Sequence, residues 1–116
     1  MHESILESIK KLLGIHEMNT DFNSDIIMDI NSVLLILWQM GVGPDKPFRI
    51  TGNNETWSDF IPEEEEGRLE IVKSFIHLRV AQLFDPPQNS IVEQSRKELI
   101  DEYGWRAYIA ADSDII

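Results

Sequence analysis

Apolar residues recur at helical spacing along four stretches of the chain, and residues that stop a helix separate them. Ile5, Leu6, Ile9, Leu12 and Leu13 predict a first helix over about Ser4 to Leu13, with Gly14 as its C-terminal stop. Glu3 and Glu7 come early and Lys10 and Lys11 late, the order that the helix dipole favours. A second helix is expected from about Phe22 to Met40, capped by Asp21 or Asn23. Its apolar arc is wide: Ile26, Ile27, Ile30, Val33, Leu34, Leu37 and Trp38, extended by Met28 and Leu35. Only Asp25, Asp29, Ser32 and Gln39 form a polar line. A helix this apolar around its circumference belongs at the centre of its domain, and Trp38 is assigned to the core with it. Gly41-Val42-Gly43-Pro44 ends it, because proline cannot continue a helix.

The helical pattern breaks over residues 45–61. Phe48-Arg49-Ile50-Thr51 alternates like a short strand, and Gly52-Asn53-Asn54 has turn chemistry, so a small hairpin returning near Glu55 to Trp57 is expected. Thr56 is placed to cap a single turn through Phe60. A third long helix follows Pro62, with Glu63 to Glu66 at the positive end of its dipole. Leu69, Val72, Ile76, Val80 and Leu83 form one stripe on it, and Ile71, Phe75 and Leu78 a second. Two stripes imply two neighbours, one of which can be a partner subunit. Asp85-Pro86-Pro87 stops this helix. Ser90 and Glu93 have capping-box spacing at the start of a fourth, whose narrow stripe of Val92, Leu99 and Tyr103 suits a covering helix. That helix ends at Gly104 or runs on to about Ile109. The expectation is an all-α fold: a small bundle of about four helices with a short β-hairpin or irregular insertion between helices two and three. Residues 1–110 form a single helical domain and 111–116 a flexible C-terminal tail.

Composition narrows the chemistry. The 116 residues suit one domain, and a domain of this size buries roughly two-thirds of its unfolded surface. With no cysteine, disulfides, thiolate metal sites and cysteine nucleophiles are excluded. The longest apolar run, Val33 to Trp38, is far too short to span a membrane, and no secretory leader is expected from the N-terminal pattern. There are 21 acidic and 10 basic side chains, giving a formal charge of −11. Residues 15–44 hold Glu17, Asp21, Asp25 and Asp29 and no Lys or Arg at all. Such a surface repels phosphates and argues against nucleic acid as a bound ligand.

No catalytic constellation stands out. His2, His16 and His77 lack a second ligand at metal-binding spacing, and His77 is read as a solvated histidine on a polar face. Consecutive Glu63 to Glu66 diverge around a helix start and do not converge on a cation. Asp25 and Asp29 share a face, but an open one. The glycines of Gly41-Val42-Gly43-Pro44 follow a helix and lack the phosphate-binding pattern. Neither cofactor nor metal is expected. Trp57 and Trp105 lie outside the strong stripes, and tryptophan is enriched at protein–protein contacts; Trp57 is read as core packing ahead of interface use, and Trp105 as either.

In order and spacing, the chain resembles the small head–tail connector (adaptor) proteins of tailed bacteriophages and prophages of Gram-positive bacteria. The resemblance is carried by Ile5 to Ile15, then Asp25 to Val33, Gly41 to Pro44, Thr56 to Phe60, the helix closing on Leu83-Phe84-Asp85-Pro86-Pro87, and Glu102, Trp105 and Arg106. It implies a non-enzymatic virion assembly protein. Copies would form a ring below the portal protein, continue the DNA channel without specific DNA binding, and meet a downstream neck or tail-completion protein. The protein would sit in the virion neck after assembly and in the host cytoplasm before it, with no membrane contact.

Surplus apolar surface makes Ile71, Phe75, Leu78, Trp57 and Trp105 the expected subunit-interface residues. Two competing readings belong to other classes. One is an acidic helical regulator that mimics DNA on a basic partner, which the charge suits. The other is an enzyme, which nothing in the histidine, serine or carboxylate pattern supports.

Overall fold

The computed structural model describes residues 3–61, 66–84 and 90–113. Five helices follow one another among them: α1 (Ile5–Leu12), α2 (Asn23–Gln39), α3 (Trp57–Phe60), α4 (Glu66–Phe84) and α5 (Ser90–Ser113). The fold is all-α, as the periodicity requires. The expected features at Pro62 to Glu65 and at Asp85 to Pro87 lie outside the described residues, as does the Ser90 side chain of the capping box.

α1 is amphipathic and short, and it survives by burying Ile5, Leu6 and Ile9 completely. Ser4 caps it, its hydroxyl accepting the Glu7 N–H at 3.3 Å. α1 and α2 end in the same way. Gly14 and Gly41 take positive φ, which lets Ile15 N–H reach the Lys10 carbonyl and Val42 N–H the Leu37 carbonyl, each at 2.9 Å. The start of α2 differs from expectation: Phe22 occupies the cap position and supplies no side-chain bond, while Asn23 is already helical.

α4 is the central layer, packed against α2 on one side and α5 on the other. The core runs through Ile26, Ile30, Val33, Leu34 and Leu37 of α2 and Leu69, Val72, Ile76 and Val80 of α4, with α1 and Trp57 closing one end. Full burial of such side chains is worth roughly 1.5–3 kcal/mol each, which is what holds these helices together.

Of the two insertions expected between the second and third long helices, the irregular one is found, and two other expectations are corrected. Among the described residues the only β pairing is a single antiparallel bridge between Ser4 and Thr56. Residues 48–51 stay outside any sheet, and side chains satisfy the backbone of Ile50 and Thr51. Asn31 of α2 donates its amide to the Ile50 carbonyl at 3.0 Å and accepts the Ile50 N–H at 2.7 Å. Glu55 accepts from Thr51 N–H at 3.1 Å and Thr51 Oγ1 at 2.8 Å.

Trp38 is exposed at the rim, not in the core, its indole N–H donating to the Asp45 carbonyl at 3.0 Å. Finally, α5 does not stop at Gly104. It continues to Ser113, three residues into the stretch expected to be a tail, and it turns Ile100 and Ala107 inward while Val92 and Leu99 remain exposed. The rotation brings Gly104 against the Phe75 ring, where a β-carbon would sit 3.0 Å from Phe75 Cε1.

Candidate interaction surfaces

The five residues singled out from the sequence do not form one surface. Trp57 is 0% exposed. Thr56 and Asp59 fix its turn, the Asp59 carboxylate accepting the Thr56 N–H at 2.9 Å. Its indole N–H donates to Ser8 Oγ of α1 at 2.8 Å, and Ser8 Oγ in turn donates to the Glu3 carboxylate. The Lys73 ammonium of α4 lies 5.4 Å from the centre of its ring. Trp57 is therefore a core pin between α1 and α4, because only the interior supplies a partner for both its ring and its N–H.

Phe75 is 5% exposed, covered by α5 at Gly104. Ile71 and Leu78 are half-buried and pack against the core. The second stripe of α4 thus finds its neighbour inside the same chain. Trp105 alone keeps the exposure expected of it, at 62%.

The unpartnered apolar surface lies on α5 and α2. On α5, Trp105 stacks on Tyr108 with ring centres 6.1 Å apart, and Ile109 is exposed beside them. Trp105 and Ile109 fall opposite Ile100 and Ala107, with Tyr108 on the flank about a quarter-turn from that buried side, so the three form a ridge whose crest faces away from α4. On α2, Met28 (62% exposed) and Leu35 line one wall of a groove of about 490 Å³, with Ile27 and Asn31 deeper and Phe48 and Arg49 forming the other wall. Sequence reasoning singled out Trp105 but missed the rest of the ridge and the groove. The ridge could have been found from the 105, 108, 109 spacing, which is out of phase with 100 and 107. Met28 and Leu35 were indistinguishable from core extension.

The titratable groups make structural bonds. In a groove lined by Glu3, Glu7, Lys11 and His16, the His16 Nδ1 is occupied, accepting the Met18 N–H at 3.0 Å. Among the described residues no three metal-ligating side chains cluster. His77 is half-buried, not solvated as expected. Burial lowers its pKa below the ordinary value and the Arg96 charge adds to this, while its bond to the Leu12 carbonyl opposes both. Asp29 is raised, first by burial and then by the neighbouring carboxylate of Asp25. Burial pushes the Glu55 carboxyl up, but the bonds from Thr51 and Gly52 together hold it below the usual range. No described helix is long and apolar enough to cross a membrane.

A helical unit with a packed interior, shallow grooves and two exposed apolar faces belongs to the class of proteins that act through contacts with other proteins. The family comparison gives that class its identity. The phage connector protein family model matches residues 5–114, nearly the whole chain, and the protein belongs to that family. This is a structural, non-enzymatic class of phage proteins, and membership makes the chain a virion component that meets other virion proteins. No curated protein and no solved structure matches the chain.

Proposed function

We propose that the protein is a head–tail connector (adaptor) whose copies form a ring below the portal, prolong the DNA channel and offer a platform to a downstream neck or tail-completion protein. The observation that carries this reading is the family match over residues 5–114. The charge and the exposed surfaces support it. A formal charge of −11, with no Lys or Arg in residues 15–44, suits a channel through which DNA slides without sticking. The ridge at Trp105, Tyr108 and Ile109 and the groove at Met28 and Leu35 give each copy two separate apolar contact faces. Two different faces are what a heterologous, ring-closing contact needs.

Among the residues first assigned to the interface, Trp105 contacts the neighbour directly, while Ile71 and Leu78 pack within the chain. Phe75 and Trp57 act beneath the surface by fixing α5 and α1. The protein resides in the host cytoplasm until assembly and in the virion neck afterwards.

The test is electron microscopy of the protein mixed with its portal protein, together with mass spectrometry of purified virions. A ring seated on the portal and stoichiometric presence in virions are expected. Virions that lack the protein would overturn the proposal.

A further inference from the structure

We infer that the occupant of the α2 groove is the α5 ridge of a second copy of this chain, with Trp105 and Tyr108 seated between Met28 and Leu35 on one side and Phe48 on the other. The inference deepens the connector reading and rests on it for the conclusion that copies are neighbours. Shape is the first argument. The groove is a concavity of about 490 Å³ with an apolar wall, and the ridge is a convex stacked ring pair. Bulky aromatic anchors in apolar clefts are the usual energetic centre of a protein contact.

Charge is the second argument. The groove's loop wall carries Arg49, with Lys46 close by in sequence, and neither has an ion-pair partner among the described residues. Beside the ridge, Glu98, Asp101 and Glu102 are all exposed; among the described residues Glu102 pairs with Arg106 at 3.1 Å and Glu98 accepts from the Gln94 amide at 3.3 Å. The basic wall of a globally acidic chain therefore meets the acidic flank of α5, which steers the two together. Topology is the third argument. α4 packs against both α2 and α5, which make at most slight contact with each other, and Trp105 and Ile109 face away from α4, so a chain's own ridge does not reach its own groove. A contact between two different faces propagates from copy to copy and closes only as a ring.

The absence of cysteine permits a direct test. Ser32, which is exposed and lines the groove, becomes cysteine in one preparation, and Asp101, exposed one turn before Trp105, becomes cysteine in another. The two full-length proteins are mixed at millimolar concentration with a short bis-maleimide. A cross-linked pair containing one Ser32→Cys and one Asp101→Cys chain is expected. Trp105→Ala in the Asp101→Cys chain lowers its yield by about tenfold. Arg49→Glu in the Ser32→Cys chain lowers it by about fivefold at low salt. Both residues are exposed, and circular dichroism checks that the variants stay folded.

Cross-links only between like variants, no cross-link at all, or yields indifferent to both substitutions would each overturn the pairing. If the pair fails to form although virions contain the protein, the groove assignment falls and the connector reading stands. If the pair forms and virions lack the protein, the reverse holds.

Discussion

Asn31 uses its whole side-chain amide on one distant residue, satisfying both backbone groups of Ile50, which is itself fully buried. Replacing Asn31 with Leu leaves a buried N–H and a buried carbonyl without partners, and each orphan costs about 1–3 kcal/mol. Asn31→Leu should therefore destabilise the fold by about 2–4 kcal/mol, read as a lower urea midpoint at unchanged slope.

His77 makes a second, opposite kind of point. Its folded pKa is lowered, chiefly by burial, while the unfolded chain takes up the proton near the ordinary value of 6.5. The unfolded state thus binds more protons in the window below 6.5, so stability is present above that pH and is lost as pH falls toward the folded pKa. Urea midpoints measured on either side of 6.5 should fall on the acid side. In His77→Gln, which retains a donor for the Leu12 carbonyl, that part of the slope should disappear.

At the scale of elements, the helices were legible because their apolar spacing and their stops are local. Gly14 and Gly41 end α1 and α2 where the pattern says they should. What was not legible depends on which helix face meets which neighbour. The strand-like alternation of residues 48–51 suggested a hairpin, but an amide 19 residues upstream and the Glu55 carboxylate satisfy that backbone instead. The stripe of Val92, Leu99 and Tyr103 looked like the buried side of α5. The helix is turned so that Val92 and Leu99 face outward while Tyr103 stays half-buried against the core, because Gly104 admits the Phe75 ring and brings Ile100 and Ala107 inward.

The same rotation covers Phe75, which sequence alone left as surplus surface, and uncovers Tyr108 and Ile109. A double-mutant cycle tests this account. Gly104→Ala gains about 1 kcal/mol of helix propensity and loses about as much by crowding Phe75, so it should be nearly neutral alone. With Phe75→Leu, whose side chain is shorter, the full gain of about 1 kcal/mol should appear.

The molecule as a whole carries far more negative than positive charge, and its acids repel one another. Asp29, raised by burial and by Asp25, is a local instance. Screening should relieve this repulsion, since the Debye length shrinks from ~30 Å at 0.01 M salt to ~8 Å at 0.15 M. Raising the salt over that range should lift the melting temperature by about 3–5 °C, corresponding to somewhat under 1 kcal/mol. A flat or falling response would mean that the ion pairs along α5 outweigh the repulsion.

One basic group escapes this competition. Lys10 is 1% exposed, its ammonium donating to the Glu17 carbonyl at 3.1 Å with the Glu7 carboxylate 4.0 Å away. An acylating reagent should label Lys11, Lys46 and Lys97 within the first minutes and leave Lys10 untouched until α1 swings out. The late appearance of that label would be a clock for the first step of unfolding, readable by mass in the intact chain.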